Sequence, residues 1–133
     1  MSTRICLVRH GETAWNAERR LQGHLDIPLN EHGLAQAAAT ARSLGGERFD
    51  AAYCSDLTRA RQTADAIASH LGLSLCQNAQ LRERHYGVFQ GLTYDEAQNQ
   101  HPEAYRHFEQ RDPDFAFTEG GESLKGFVCK MRL

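Results

Sequence analysis

The sequence predicts a three-layer α/β/α fold in which helices cover a mostly parallel central sheet. Three short apolar runs, at residues 4–8, 49–54 and 73–76, lack helical spacing and are typical of buried strands. Two longer segments, 30–44 and 55–71, carry apolar residues at helical spacing. Strands that alternate with helices over short links form parallel sheets, which collect their binding sites at the carboxyl ends of the strands.

The two longer helices have clear start and stop signals. Asn30 can cap the first of them, which we expect to end at Gly45-Gly46. The second is predicted to open at Ser55-Asp56 and to end at Gly72, because glycine suits a left-handed C-terminal cap. This second helix connects two predicted strands, as the crossover between parallel strands requires.

Beyond residue 77 the pattern loosens into a long loop followed by two shorter helices. Thr93 and Glu96 form a capping-box pattern for the first of them, which should stop before Pro102. The next helix is predicted over residues 103–110. The stretch 124–133 is too short to assign.

Charge and composition exclude several classes of function. Lys and Arg total 15 against 17 acidic residues, and the net charge of −2 leaves no overall field to hold a nucleic-acid backbone or an anionic membrane. The longest apolar stretches run to about six residues, far short of the roughly 20 that span a bilayer, and no export signal is visible. With no internal repeat, the 133 residues are expected to form one domain over residues 1–133.

The four cysteines do not follow a metal-binding pattern. They are widely separated, and no C-x-x-C pair occurs. Three of them stand in short apolar runs, where a reduced cysteine acts as a small core residue. We therefore expect no metal site and a reducing, cytoplasmic location.

Arg9-His10-Gly11-Glu12 follows the first predicted strand, where an α/β sheet displays its functional groups. An imidazole there is a competent nucleophile toward phosphorus, because an ordinary histidine pKa of about 6.5 leaves the ring mostly neutral at pH 7. The alternative is that His10 only closes a turn. These residues alone leave both interpretations open.

The second long helix carries Arg59 and Arg61 in its first two turns, which is the unfavourable end of the helix dipole for a cation. Asp56 can compensate this charge as a solvated local pair. A helix N-terminus and an arginine fork can instead bind a dianionic phosphate.

Glu83 stands between Arg82 and Arg84 in the loop after the third predicted strand, again on the carboxyl side of the sheet. Such a carboxylate is usually part of a surface ion pair. Its functional interpretation is a general acid that protonates a leaving alkoxide.

Taken together, four ordered motifs resemble the histidine phosphatase superfamily, in its branch of cofactor-dependent phosphoglycerate mutases and α-ribazole phosphatases. The resemblance covers residues 3 to about 124. It rests on Leu7-Val8-Arg9-His10-Gly11-Glu12-Thr13, Trp15-Asn16, Ser55-Asp56-Leu57-Thr58-Arg59-Ala60 and Glu83-Arg84-His85-Tyr86-Gly87. The order and spacing of these motifs favour the functional interpretation of His10.

The resemblance implies a role for each matching residue. His10 would attack phosphorus in line and become a phosphohistidine, and Glu83 would act as proton donor and then as base. Guanidinium groups would supply the charge stabilisation, so that no metal is implied. The phosphoryl group would be bound by Arg9, Asn16, Gln22, Gly23 and Arg59.

The sequence departs from the family in one respect. The family carries a second catalytic histidine in a Ser-His-Gly-type motif at the end of a later strand, and no histidine here stands in that context; the candidates are His85, His101 and His107. The segment 125–133 also holds both lysines of the chain. We therefore expect a truncated or altered end, with the C-terminal part of the fold missing.

The resemblance suggests two functions, and the missing second histidine and strand suggest a third. The first is a phosphatase that acts on a small phosphorylated metabolite and needs no cofactor. The second is a mutase with 2,3-bisphosphoglycerate as cofactor, in which Arg84 and Tyr86 would help to hold a substrate carboxylate; Tyr94, however, stands where mutases carry a lysine. The third is a non-catalytic phosphate-binding fragment. We also consider a homodimer, because members of the family frequently form dimers and an exposed sheet edge would add a reason for pairing.

Overall fold

A computed structural model describes residues 2–130. It contains two parallel strands, β1 (Ala52–Cys54) and β2 (Leu75–Gln77), paired with Ala52 opposite Leu75. Two 3-10 turns lie at Ala79–Leu81 and Gly87–Phe89. The α-helices are α1 (Ala14–Ala17), α2 (Glu31–Ser43), α3 (Thr58–Leu71), α4 (Tyr94–Gln100), α5 (Pro102–Glu109) and α6 (Leu124–Lys130). The predicted α/β class with parallel strands is confirmed.

Helix α3 forms the crossover between β1 and β2 and contacts both strands, while α2 packs against α3. It ends at Gly72, which adopts the predicted left-handed conformation with φ of 69°. Its start lies at Thr58 rather than at Ser55-Asp56, because a distant carboxylate caps the helix. Asp26 accepts hydrogen bonds from the Thr58 amide at 2.6 Å and from its hydroxyl at 2.9 Å.

Helix α2 begins as predicted. The Asn30 side chain accepts a hydrogen bond of 2.8 Å from the Gly33 amide and so satisfies one of the free donors of the first turn. Three small residues, Gly33, Ala37 and Ala41, form its buried face. Small side chains on this face allow α2 to approach its neighbours closely.

The strand predicted at residues 4–8 is wrong. This segment has no regular secondary structure in the described chain, and Ile5 and Leu7 are 75% and 91% exposed. A strand requires a neighbour for its backbone groups, and among residues 2–130 β1 pairs only with β2. The two observed strands also differ from the predicted 49–54 and 73–76 by a few residues at their ends, since pairing alone defines their limits.

An aromatic core joins the C-terminal half of the described chain to Leu21. Leu21, Phe89, Ala97 and Phe117 are buried together there. The predicted Thr93–Glu96 capping box is present at the start of α4. Helix α5 begins one residue before the predicted 103–110, because proline is well suited to the first helical position.

Helix α6 occupies part of the unassigned segment 124–133, whose residues 131–133 lie outside the described chain. Among the described residues, no helix is both long and apolar enough to cross a membrane.

Candidate active site

His10 is half-buried and has a defined tautomer. Its Nδ1 lies 2.7 Å from the backbone carbonyl oxygen of Gly11. Because a carbonyl only accepts, Nδ1 must carry the proton, and Nε2 retains its lone pair. Burial lowers the pKa of His10, assisted by the charges of Arg59 and Arg9 and opposed by the Gly11 hydrogen bond and by Glu83. The ring is therefore neutral at pH 7, and the free lone pair on Nε2 is able to act as a nucleophile.

Contacts from two helices hold the segment of His10, in place of the strand that was predicted to carry it. The Gly11 amide donates to the Thr63 hydroxyl at 3.1 Å, and that hydroxyl donates to the Arg59 carbonyl at 2.8 Å. On the other side the backbone touches α2: a Cβ on Gly33 would lie 2.0 Å from the Glu12 carbonyl oxygen. Sequence reasoning missed Thr63. The one feature that could have indicated it is its position one helical turn after Arg59.

Thr13 organises two further predicted ligands. This fully buried residue caps α1 in a capping box with Asn16, whose Oδ1 accepts from the Thr13 amide at 3.0 Å. The Thr13 hydroxyl lies 2.8 Å from Oε1 of Gln22, which is also buried. The carbonyl oxygens of both amides are thus engaged, which leaves their NH2 groups as the ends that can donate to a ligand.

An open cleft of about 480 Å³ adjoins His10. Arg9, Asn16 and Glu12 line it together with residues of α2. Arg9 is exposed beside His10 and is accessible to an anion from solvent. The structure therefore brings Arg9, His10 and Asn16 to one surface.

Arg59 is 1% exposed and lies in the first turn of α3. Its Nη1 donates to the Leu25 carbonyl at 2.8 Å, and its Nη2 donates to the Gly23 carbonyl at 2.7 Å. Burial lowers the pKa of Arg59, opposed by the charges of Glu83 and Asp26. A guanidinium nevertheless stays protonated in proteins, so that Arg59 is a fixed positive charge near His10.

Gly23 contributes its backbone to this arrangement. Its φ of 55° is left-handed, and a Cβ there would lie 2.3 Å from Oε1 of Gln90. Its carbonyl oxygen binds Arg59. The described contact of Gly23 with the candidate site is therefore indirect: its carbonyl oxygen holds the Arg59 guanidinium.

The Glu83 carboxylate faces Arg59. Its Oε2 lies 3.7 Å from Nη2 of Arg59, and its Oε1 accepts a hydrogen bond of 3.0 Å from the Tyr86 hydroxyl. The side chain of Glu83 is 42% exposed, so that it can exchange protons with solvent. Burial, and next the charge of Glu83, raise the pKa of Tyr86, which keeps the phenol a hydrogen-bond donor.

The arginines beside Glu83 have other partners. Arg82 forms a bidentate pair with Asp56, in which Nε lies 2.6 Å from Oδ1. This ion pair holds the pKa of Asp56 below its ordinary range. Asp56 thus pairs with Arg82, the residue before Glu83. The described residues do not show the local pair between Asp56 and the arginines of α3 that the sequence suggested.

Arg84 turns into the aromatic core. It is 8% exposed and donates to the carbonyls of Glu122 and Phe115 at 3.0 and 3.1 Å. Its guanidinium also lies 4.7 Å from the ring centre of Phe117. Arg84 thus links the Glu83 loop to the 115–122 segment, and these contacts occupy the side chain that a substrate carboxylate would need.

Comparison with known proteins identifies the class. The model of the Histidine phosphatase superfamily (branch 1) matches residues 5–132, and the chain belongs to that family. The chain is 49% identical over 122 residues to Phosphoglycerate mutase-like protein 4 of Arabidopsis thaliana, covering 90% of this chain and 53% of that protein. It is 47% identical to a Metal-independent phosphoserine phosphatase of the same plant, covering 92% and 52%.

A solved structure shares the fold. The mycobacterial glucosyl-3-phosphoglycerate phosphatase in complex with VO3 superposes with a TM-score of 0.84 and 37% identity, over 92% of this chain and 58% of that one. The chain spans about half the length of the curated relatives that it matches. Enzymes of this family, phosphatases and mutases, are therefore its relatives.

Proposed function

We propose that the protein hydrolyses a small phosphomonoester through a phosphohistidine on His10. The observation that carries the proposal is the tautomer of His10, since the Nδ1 contact with the Gly11 carbonyl leaves Nε2 unprotonated beside the Arg59 charge. The phosphatase names of relatives such as the Arabidopsis phosphoserine phosphatase support the reaction class.

The chemistry divides into two displacements. In the first, the Nε2 lone pair attacks phosphorus, the bond between phosphorus and the ester oxygen breaks, and Glu83 delivers its proton to the leaving alkoxide. In the second, Glu83 takes a proton from water, the resulting hydroxide attacks phosphorus, and the P–N bond breaks to release inorganic phosphate. Arg9 and Arg59 stabilise the charge on the phosphoryl oxygens, and the Asn16 and Gln22 amides add hydrogen bonds.

The contacts of Arg84 favour hydrolysis over mutation. A phosphoglycerate mutase must hold a substrate carboxylate while the phosphoryl group returns to the other hydroxyl. Arg84, the nearest candidate from the sequence, donates to two backbone carbonyls instead. A site that lacks its ionic partner for a substrate binds that substrate poorly.

The proposal is tested by trapping the intermediate. The chain is incubated with ³²P-labelled substrate and denatured, and acid-labile, alkali-stable label is expected on the wild type and absent from His10→Ala. His70→Ala, an exposed histidine at the end of α3, is the matched control and should label normally. Label that persists in His10→Ala contradicts the nucleophile.

Two further outcomes distinguish the alternatives. Acceleration of turnover by 2,3-bisphosphoglycerate would favour the mutase. Thermal stabilisation by inorganic phosphate without any labelling would favour a binding role.

A further inference from the structure

The three residues 23–25 connect the two charged groups of the proposed site. The carbonyls of Gly23 and Leu25 bind the Arg59 guanidinium at 2.7 and 2.8 Å. Between them, the His24 ring lies with Nε2 2.8 Å from the backbone carbonyl oxygen of Glu83. The His24 amide in turn donates to the Gln90 side chain at 2.8 Å. One short segment thus holds both the cation and the main chain of the acid.

The contact with the Glu83 carbonyl defines the tautomer of His24. A carbonyl accepts only, so Nε2 carries the proton and donates it. Burial lowers the pKa of His24, opposed by the hydrogen bond to the Glu83 carbonyl and by the charge of Glu122 and assisted by the charges of His85 and Lys130. The ring is therefore neutral near pH 7 and keeps a single N–H directed at Glu83.

The groups around the ring leave that donor available to Glu83. The His85 ring centre lies 4.7 Å away, and its Nδ1 accepts from the Gly87 amide at 2.9 Å. Glu122 approaches Nε2 no closer than 3.9 Å, and its carboxylate already binds the His85 amide at 2.8 Å and Lys130 at 2.8 Å. The Glu83 carbonyl is thus the closest acceptor recorded for the His24 ring.

The Glu83 carboxylate needs this support because its own contacts are few. Tyr86 donates to one oxygen at 3.0 Å, Arg59 lies 3.7 Å from the other, and the side chain is almost half exposed. We propose that His24 is a positioning residue that fixes the Glu83 carboxyl relative to the Arg59 guanidinium. This inference rests on the proposed function, in which Glu83 transfers the proton.

The expected consequence depends on the leaving group. General acid catalysis contributes about 10²- to 10⁴-fold when the leaving oxygen is a poor leaving group, and misplacement by about 1 Å costs up to about 10²-fold. p-Nitrophenolate leaves as a stable anion and gains little from an acid. Loss of the His24 bond should therefore slow the release of an alcohol but spare the release of p-nitrophenolate.

The test compares three variants on p-nitrophenyl phosphate and on glycerol phosphate. The quantity compared is kcat/KM, which reports the steps up to departure of the leaving group and excludes the later attack by water. His24→Ala should lower kcat/KM on glycerol phosphate by roughly 10- to 100-fold and on p-nitrophenyl phosphate by less than about 3-fold. His24→Gln should restore most of the loss, because the glutamine amide nitrogen can replace the Nε2 donor. His70→Ala is the control. Equal losses on both substrates, or no rescue by glutamine, would overturn the role of His24.

Glu83→Gln separates this inference from the proposed function. If Glu83→Gln lowers kcat/KM on both substrates alike, or if the wild type turns over neither, the proposed function fails. If Glu83→Gln is selective and His24→Ala is not, only the role of His24 fails.

A measurement without turnover also decides the contact: ¹⁵N spectra of the imidazole should show His24 as the Nε2–H tautomer, and the Nδ1–H tautomer would overturn the assignment.

Discussion

Replacement of Arg59 by lysine isolates what the guanidinium fork contributes beyond its charge. Arg59 spans two carbonyls with two different nitrogens, at 2.8 Å to Leu25 and 2.7 Å to Gly23. A single ammonium on a flexible stem cannot reproduce that planar, two-pronged geometry. Arg59→Lys is therefore expected to lose one charge-assisted bond and to leave one carbonyl without its donor.

The loss is large enough to measure. A hydrogen bond to a charged group contributes about 1.5–3 kcal/mol, and in a domain of this size each kcal/mol lowers Tm by about 3–4 °C. Arg59→Lys should thus reduce the free energy of unfolding by about 1.5–3 kcal/mol and Tm by roughly 5–12 °C. Urea denaturation and thermal melts at pH 7 provide the assay.

A matched control lies on the same helix. Arg61 is exposed, and Arg61→Lys should change stability by less than about 0.5 kcal/mol. An Arg59→Lys variant as stable as Arg61→Lys would refute the reasoning, because it would show that the two carbonyls do not depend on the fork.

Three other predictions follow from contacts around the site. The pKa of His10 in the folded protein lies below its ordinary value of about 6.5, so that the unfolded chain binds a proton at a higher pH than the folded chain does. The stability that His10 contributes is therefore present above pH 6.5 and is lost as the pH falls from there toward the folded-state pKa. Urea denaturation at a series of pH values should show the free energy of unfolding decrease in that direction. Tyr86→Phe removes a bond of 3.0 Å to the proposed acid and should lower kcat/KM on glycerol phosphate about 10-fold more than on p-nitrophenyl phosphate. An equal loss of kcat/KM on both substrates would contradict this role of Tyr86. Gly33→Ala should destabilise the protein by about 1–3 kcal/mol, because its Cβ would meet the Glu12 carbonyl oxygen at 2.0 Å. Helix propensity alone would instead stabilise the protein by about 1 kcal/mol. Urea denaturation decides the sign, with Gly46→Ala as the control because a Cβ there meets nothing within 4 Å.

Local signals in the sequence predicted the helices well. Asn30 caps α2, the box of Thr93 and Glu96 opens α4, and Gly72 closes α3, each through contacts between residues a few positions apart. The start of α3 was less accurate for the opposite reason. Its cap is Asp26, 32 residues away in the chain, and no local pattern specifies such a contact.

Strands depend on partners in a way that helices do not. The apolar run 4–8 has the composition of a buried strand, yet it has no regular secondary structure and Leu7 is exposed, because no described strand pairs with it. Composition therefore indicates which residues can enter a sheet, whereas pairing decides whether they do.

The site residues were predicted through their chemistry, and their supports were not. Patterns in the sequence singled out His10, Arg59 and Glu83, which the structure places near one another. The supports Thr63 and His24 act through backbone groups of residues distant in the chain. Every residue type provides a backbone amide or carbonyl, so that a contact with one does not require a particular residue at the partner position. Thr63 and His24 therefore belong to no recognisable sequence pattern.

Arg59 shows how stability and the proposed chemistry meet in one side chain. Of its five N–H donors, the two that bind the Gly23 and Leu25 carbonyls fix the plane of the guanidinium. The same two bonds compensate the burial of its charge, together with the attraction of the Glu83 carboxylate, whose Oε2 lies 3.7 Å from Nη2. A rigid, buried cation near His10 needs no reorganisation when a phosphoryl group arrives. We therefore propose that the contacts expected to make Arg59→Lys destabilising are also the contacts that prepare the guanidinium to bind a phosphoryl group.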